Sequence, residues 1–309
     1  QAAAAALSAV LSILQPKGIE AMRVVWKEYW KTLKRLIKED PRRDVTPDYI
    51  IAVDNCTVKL GKEVRVPFKN FHIDKYLRIF IKGITVDEMN EIGVMIMEKM
   101  EEETRMMEQL TGRGENIGVL DKIAELVVSL FKTMGTSFCQ YIIPAMSLFF
   151  PLIDSSVDKS WGVHFISALF RFAPDVSFPV HQEKIVQLLF PLLHDEISQN
   201  RTSAAHVFGL MAHNNRPEWK MLAVQSLESL CEMCCHTDAR TAPYNFATDN
   251  AISSICKIVQ NCGQFIGREK MMSKLLLFLP IREDREEGVI VYSFIADLIE
   301  VSIQTVRSE

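Results

Sequence analysis

The sequence predicts an all-α protein built as an α-solenoid, in which antiparallel helix pairs stack into a superhelix. Three observations carry this prediction. Apolar residues follow the helical period of about 3.6 residues, short apolar segments recur at intervals of about 40–45 residues, and glycine and proline are scarce, at 13 and 12 of 309 residues. A low content of both residues disfavours a turn-rich all-β fold. With 48% hydrophobic residues, the chain can bury a large core.

Composition also limits the classes of partner. Lys plus Arg number 35 and Asp plus Glu 39, giving a net charge of -4, whereas a dedicated nucleic-acid binder shows a strong basic excess. Seven scattered cysteines favour a reducing compartment. The apolar segment 2–14 is shorter than the roughly 20 residues that span a bilayer. We therefore expect no direct nucleic-acid binding and no membrane insertion, and the initial Gln1 indicates a processed chain or a fragment.

The apolar pattern places helices along most of the chain. In the segment 217–235, apolar residues from Trp219 to Cys234 recur at i, i+3, i+4 and i+7, as in a helix buried on one side. Pro217 suits the first turn of that helix, where its missing N–H costs nothing. The predicted helices are 22–39, 86–110, 154–172, 180–193, 198–212, 217–235, 248–261, 269–279 and 286–302.

The region between the first two helices is less regular. Residues 56–60 and 64–68 alternate in polarity around Gly61, which predicts a small hairpin over 56–68. The chain accordingly divides into residues 1–117, with divergent helical repeats and this hairpin insertion, and residues 118–303, with about four to five repeats.

The repeats are of the HEAT type. The segment 149–153 (FFPLI) returns as 189–193 (LFPLL) and again as 277–281 (LFLPI), and a period of 40–47 residues with two helices is the signature of HEAT or armadillo repeats. The segment 195–209 resembles the HEAT pattern of an Asp, an Arg, two small residues and a Gly. In that family the Asp and Arg link successive repeats by hydrogen bonds, so the resemblance implies that Asp195 and Arg201 form an inter-repeat ladder.

A closer resemblance lies towards the C-terminus. The segments 249–258 (DNAISSICKI), 279–287 (LPIREDREE) and 297–300 (DLIE), in this order and spacing, look like the C-terminal HEAT repeats of the importin-β (karyopherin-β) superfamily of nuclear transport receptors, in particular the branch of importin five and importin four. Trp161-Gly162 also fits that branch. The resemblance covers roughly residues 118–303.

This resemblance implies a function in nuclear import. The chain would be a fragment of a receptor that binds basic protein cargo under control of the Ran GTPase and shuttles between cytoplasm and nucleus. In this family Ran binds mainly through N-terminal repeats, which lie outside this chain, and phenylalanine-glycine nucleoporins insert between outer helices.

The alternative is a HEAT scaffold of another class, such as a phosphatase regulatory subunit or a chromosome-organising protein. Regular repeats of about 39 residues with an intact ladder would favour this alternative.

Acidic side chains are the candidates for contacting basic cargo. Glu101, Glu102 and Glu103 lie in the densest acidic run, 98–108. Such a run is either a solvated helix face or a surface whose negative charge speeds the capture of basic proteins. The resemblance further implies that Glu183, Glu228 and Glu232 line the concave, cargo-facing side.

No residue pattern points to catalysis. Cys231, Cys234, Cys235 and His236 invite a zinc proposal, but a structural site needs four converging ligands, and Cys231 and Cys234 fall in the apolar stripe of a helix. His206 and His213 lack the Glu of an H-E-x-x-H motif, and the chain has no phosphate-binding glycine motif. We expect no enzyme activity, no catalytic residues, no cofactor and no metal.

Overall fold

The computed structural model describes residues 9–10, 13, 19–40, 46–62, 86–109, 117–134, 138–139, 146–155, 159–172, 174–242 and 244–308. Over these residues the chain is helical and contains no β-strand, which confirms the all-α prediction. No helix in the described part is both long and apolar enough to cross a membrane. Packing divides the chain into two compact units, residues 1–180 and residues 181–309.

The first unit contains two sets of helices. The second, fourth and sixth helices pack on one another in order, the first packs on the second, and the third packs on the fifth. The helices are α1 (Ile19–Glu39), α2 (Thr46–Lys62), α3 (Val86–Gln109), α4 (Ile117–Met134), α5 (Met146–Ser155) and α6 (Ser160–Phe172).

Helix α1 shows why the apolar period produces this packing. Met22, Trp26, Trp30, Leu33 and Ile37 recur on one side of the helix, and all five are buried. The rings of Trp26 and Trp30 stack at 5.5 Å. Burying each side chain of this size contributes about 1.5–3 kcal/mol, so the apolar face fixes how α1 lies on α2.

The predicted hairpin is wrong in its first strand. Residues 56–62 form the end of α2, and residues 63–68 lie outside the described part of the chain. Tyr49, Ile50, Val53 and Cys56 are buried along one side of α2. That helical stripe reaches Cys56, and the five alternating residues of 56–60 are too few to outweigh it.

A second predicted boundary, the start of the helix 154–172, is also wrong. The predicted helix 154–172 begins only at Ser160, because the chain from 146 to 155 forms the separate helix α5. The Lys159 ammonium donates to the carbonyls of Ile153 and Asp154 at 2.9 and 2.8 Å, and a cation is favourable at a helix C-terminus. A Cβ on Gly162 would lie 2.2 Å from Ile153 Cγ1, so the glycine permits the two helices to approach closely.

The second unit repeats the arrangement. The helices are α7 (Pro174–Leu192), which crosses the boundary at residue 180, α8 (Ser198–His213), α9 (Pro217–Gln225), α10 (Leu227–Cys235), α11 (Asn245–Asn261), α12 (Arg268–Phe278) and α13 (Arg285–Ser308). Helix α11 packs most extensively on α8 and also contacts α10, α12 and α13, while α9 packs on α8.

The predicted single helix 217–235 is broken at Ser226. The buried Ser226 hydroxyl donates to the Ala223 carbonyl at 2.7 Å, a back-bonded arrangement that bends helices. Helix α9 therefore ends at Gln225 and α10 begins at Leu227. The apolar stripe survives the break, since Trp219, Ala223 and Leu230 are fully buried, and Pro217 lies in the first turn as predicted.

The predicted division near residue 117 does not coincide with the boundary between the compact units. Helix α4 begins at Ile117 and packs on α2 within the first unit, and the boundary falls at residue 180. Between 117 and 303 the chain forms α4 and the helices from α5 to α13. The number of regular HEAT repeats in that region stays a prediction.

Candidate protein-binding site

Helix α11 joins its neighbours through buried polar side chains. All residues from Ala247 to Val259 are buried because α11 is covered on several sides. The fully buried Asp249 carboxylate accepts three backbone N–H groups through Oδ2, from Arg282 at 2.9 Å, Glu283 at 2.7 Å and Asp284 at 3.1 Å. One side chain thereby fixes the loop that leads into α13.

Two further residues complete this connection. The Arg240 guanidinium donates to Asp249 Oδ1 at 3.0 Å and also to the Phe278 carbonyl. The Asn250 amide donates to Asp284 Oδ2 at 2.9 Å. The connection therefore spans the start of α11 and the end of α12, and it holds both against the start of α13.

A second buried group links α8, α11 and α13. The Lys257 ammonium of α11 donates to Glu287 Oε2 of α13 at 2.6 Å, and the Ser253 hydroxyl donates to the same oxygen. His206 Nδ1 of α8 lies 3.4 Å from Glu287 Oε1. Lys257 and Glu287 are 3% and 7% exposed, so their charges are satisfied almost entirely by each other and by these two neighbours.

The environment of Glu287 keeps its carboxylate ionised. Burial alone would raise the pKa, but the hydrogen bond with His206, the charge of Lys257 and the hydrogen bonds from Lys257 and Ser253 outweigh it and lower the pKa of Glu287 to about 2. The folded state therefore favours the charged form of this side chain.

The residues that make these contacts lie in segments that the sequence analysis identified, but their contact partners were not predicted. Asp249, Asn250, Asp284 and Glu287 all fall in the segments that resemble the importin-β superfamily. Sequence spacing alone does not reveal which side chain of one segment meets which group of the other, because the contacting residues are 33–35 positions apart.

The predicted ladder residues make a different set of contacts. Arg201 donates to the carbonyls of Asp195 and of Glu196, the latter at 3.2 Å, and lies 4.8 Å from the Tyr244 ring centre. Asp195 Oδ1 accepts the Ile197 N–H at 2.8 Å. Arg201 thus reaches the following helices through a cation–π contact, whereas the Asp195 carboxylate caps its own loop. Their role as a hydrogen-bonded ladder between repeats stays a prediction.

One cleft of about 600 Å³ brings together residues that the sequence analysis assigned to two roles. It is lined by the predicted ladder residues Asp195 and Arg201 and by the predicted cargo-facing residue Glu232. The buried side chains of Leu193, Met233 and Ala247 give the cleft an apolar floor. We call this the loop cleft, and its polar lining consists of His194, Asp195, Glu196, Arg201, Glu232, His236, Tyr244 and Thr248.

The charge of the loop cleft is predominantly negative. Its three carboxylates outnumber the one permanent cation, Arg201, whose Nη1 already donates to two backbone carbonyls. His194 Nε2 lies 3.0 Å from Ser229 Oγ, and its Nδ1 lies 4.0 Å from Glu232 Oε2. An apolar floor beneath exposed carboxylates suits a lysine or arginine side chain, which places its aliphatic stem on the floor and its charge at the rim.

The acidic run of α3 borders a different groove, of about 800 Å³, between α1 and α3. Glu101 is exposed and Glu102 pairs with Lys99 at 2.6 Å. Nearby, Glu98 pairs with Lys38 of α1 at 3.5 Å. Glu103 lies on α3, but its side chain is outside the described part of the structure. Lys38 of α1 and Lys99 of α3 itself therefore neutralise part of the run that the sequence proposes for cargo.

The remaining two candidates lie away from both cavities. Glu183 is exposed on α7, where it accepts from the Gln187 amide at 3.3 Å. Glu228 is exposed on α10. Of the three acids expected on the cargo-facing side, Glu232 alone lines the loop cleft.

The cysteines near the end of α10 do not form a metal site in the described structure. Among the residues described, no group of three or more His, Cys, Asp and Glu is placed to hold a metal ion. Burial raises the pKa of the Cys231 and Cys234 thiols, which disfavours the thiolates that metals bind.

Comparisons with known proteins bear on the fold. No protein-family model matches the sequence. Three similar solved structures are those of Kap121p bound to Ste12p (14% identity, TM-score 0.76), of the karyopherin Kap121p bound to the SUMO protease Ulp1p (15%, 0.75) and of Kap121p bound to Nup53p (15%, 0.74). Each similarity covers 96% of this chain and 26% of the Kap121p chain. The chain therefore spans about a quarter of the length of Kap121p, and at this identity the similarity establishes the fold alone: an α-solenoid of HEAT repeats.

Proposed function

We propose that this chain is part of a nuclear import receptor of the importin-β family, related to the importin five and importin four branch, and that it binds basic protein cargo. The observation that carries the proposal is the similarity over 96% of the chain to Kap121p, solved with Ste12p, Ulp1p, Nup53p and Pho4p bound. The sequence resemblance in the segments 249–258, 279–287 and 297–300 supports the same family.

The loop cleft supports basic cargo in particular. Glu196 and Glu232 are exposed at its rim, and the apolar floor beneath them is already formed. A preformed pocket reduces the ordering cost of binding. Exposed carboxylates attract a basic chain over about 8–10 Å at physiological ionic strength.

Other parts of the proposal follow from the family. Ran would act mainly through repeats outside this chain, so the chain alone should bind Ran weakly. Phenylalanine-glycine nucleoporins would be further partners, and the whole receptor would shuttle between cytoplasm and nucleus. The activity would be binding, without a catalysed reaction.

Titration of a fluorescent Lys/Arg-rich peptide by anisotropy tests the proposal. We expect binding at 50 mM salt that weakens markedly at 200 mM salt. The double substitution Glu196→Gln/Glu232→Gln should weaken binding about tenfold, chiefly by slowing association. The triple substitution Glu101→Gln/Glu102→Gln/Glu103→Gln should have a smaller effect, because lysines already neutralise part of that run.

A matched control removes two exposed acids of α13, Asp297→Asn/Glu300→Gln, and changes the net charge equally. This control should bind the peptide like the unchanged chain. Absence of binding at 50 mM salt, or equal weakening by the cleft variant and the control, would refute basic cargo as the ligand of the loop cleft.

A further inference from the structure

The exposed side of α1 carries a row of cations spaced by four residues. Arg23, Lys27, Lys31 and Arg35 occupy successive turns of the helix; the last three are exposed and Arg23 is partly so. Residues four apart on a helix are neighbours about 5–6 Å apart, and 12 residues of helix extend about 18 Å. We call these four residues the basic row.

The basic row lacks compensation within the described structure. Like charges four apart on a helix destabilise it. The only ion pair that the row makes with described residues joins Lys31 to Glu28 at 3.4 Å, and both side chains are largely exposed, so this pair contributes little. Arg23, Lys27 and Arg35 make no ion pair or hydrogen bond with any described residue.

Two other lysines of the same helix, in contrast, have their charges compensated by glutamates of α3. Lys34 pairs with Glu91 of α3 at 2.8 Å, and Lys38 pairs with Glu98 at 3.5 Å. The two glutamates are seven residues apart, so an acidic helix already lies along one side of α1. The helix dipole stabilises cations only in the last turn. It therefore does not stabilise Arg23 and Lys27, which lie in the first half of α1.

We propose that the basic row binds an acidic segment of a partner polypeptide, with carboxylates spaced by one or two helical turns. The partner would lie along the basic row, of which Lys31 and Arg35 border the groove between α1 and α3. Local charge repulsion without internal compensation is the kind of departure from stability rules that proteins show at functional sites. This surface lies in the first unit, and its ligand has the opposite charge to the basic cargo of the loop cleft.

The dimensions favour a short polypeptide over a nucleic acid. The row extends only about 18 Å, and its Lys31 and Arg35 line a groove that Glu98, Glu101 and Glu102 also line. The whole chain carries a net charge of -4. A long polyanion would extend beyond the row towards these carboxylates, whereas an acidic segment of two to three helical turns matches the row in length.

Anisotropy titration of a labelled helical peptide with Glu at every fourth position tests the proposal on the full chain. We expect saturable binding at 50 mM salt. The substitution Lys27→Glu/Arg35→Glu should weaken it at least tenfold. The matched control Arg268→Glu/Lys270→Glu reverses two exposed cations at the start of α12 and likewise takes the net charge from -4 to -8, because each of the two substitutions changes the charge by two. This control should weaken binding no more than about twofold.

Circular dichroism at 222 nm confirms that both variants remain folded before they are titrated. Equal weakening by the two double variants would overturn the proposal, since only net charge would then matter. It would equally be overturned if the unchanged chain bound a single-stranded oligonucleotide or anionic phospholipid vesicles but not the acidic peptide.

Discussion

Asp249 shows how one side chain can join neighbouring helix pairs. Its carboxylate is fully buried, yet four donors satisfy it, namely three backbone N–H groups and the Arg240 guanidinium. Charge-assisted hydrogen bonds of this kind are about twice as strong as neutral ones. Removing the acceptor takes the partner from four partly buried donors, and this loss costs more than the bonds contribute on average.

The substitution Asp249→Ala should therefore lower the free energy of unfolding by about 3–5 kcal/mol. Urea unfolding followed by circular dichroism measures this change. The control Asp297→Ala removes an exposed carboxylate in the interior of α13 and should change stability by less than about 0.5 kcal/mol. Equal effects of the two substitutions would show that the Asp249 connection contributes nothing.

Glu287 gives the same region a pH dependence. Its pKa in the folded chain is about 2, below the ordinary value of 4.5, so the folded state holds its proton less tightly than the unfolded state. The resulting stabilisation is complete above about pH 4.5 and is lost as the pH falls from there towards 2.

We expect Glu287→Gln to lower the free energy of unfolding at pH 7 by about 3 kcal/mol and to have a smaller effect at pH 3. Urea titrations of both proteins at the two pH values measure the difference. Replacing both members of the pair, Lys257→Met/Glu287→Leu, should cost less at pH 7 than Lys257→Met alone, because the single change leaves a buried charge unpaired. A difference that is independent of pH would contradict the account of Glu287.

At the scale of residues, the sequence located the important segments but not their contacts. Asp195 and Arg201 were predicted from a motif, and the structure brings them together at the loop cleft through the Asp195 carbonyl and not its carboxylate. Asp249 and Glu287 form the densest polar contacts between helices, yet each needs a partner over 30 residues away. Which distant partner it meets is decided by tertiary packing, on which a local pattern carries no information.

At the scale of helices, the observed bounds agree with the predicted bounds where the apolar pattern extends over several turns. Helices α1 and α8 lie within a few residues of their predicted bounds, because apolar residues are buried along several of their turns. Helix α12 also lies close to its predicted bounds, although Leu275 is its single buried residue. Two of the errors arose where the signal was short: the alternation at 56–60 lies inside α2, and a single buried Ser226 divides α9 from α10. Each of these two errors concerns a few residues whose structure is decided by tertiary packing or by one hydrogen bond.

The packing of α8 on α11 depends on Gly209. A Cβ at this position would lie 2.7 Å from Ser254 Oγ and 3.0 Å from Lys257 Cδ. The Ser254 hydroxyl donates to the Ala205 carbonyl at 2.6 Å, so moving it away would break a buried hydrogen bond. The glycine of the HEAT-like segment 195–209 thus serves the close approach of two helices.

Gly209→Ala should lower the melting temperature, with a loss of about 1–3 kcal/mol, even though alanine favours an isolated helix by up to about 1 kcal/mol. Thermal unfolding measures the change. Adding Ser254→Ala should make the Gly209→Ala substitution less costly, since it removes the closest atom, and Gly267→Ala, whose nearest neighbour would be 4.0 Å away, serves as control. A neutral or stabilising Gly209→Ala would show that the helices can separate without cost.

At the scale of the whole molecule, the repeat was the most informative feature of the sequence. Recurrence of the apolar segment at 149–153, 189–193 and 277–281 predicted a solenoid, and the stacking of alternate helices within each unit together with the similarity to Kap121p confirms that fold. In a repeat architecture each repeat contacts only its neighbouring repeats. The spacing of the repeats in the sequence therefore determines the fold more directly than it does in a globular domain. The boundary at residue 180 was not visible in the sequence, because no glycine-rich or proline-rich linker marks it.

Hydrogen exchange of the full chain, measured by mass spectrometry with and without a saturating Lys/Arg-rich peptide at 50 mM salt, tests the central claim most directly: that this solenoid binds basic protein segments at the loop cleft. We predict slower exchange in peptides that cover residues 193–201 and 232–248, and little change in those that cover α1 and α3. Bound peptide without protection at either segment, or protection confined to other parts of the chain, would contradict the claim.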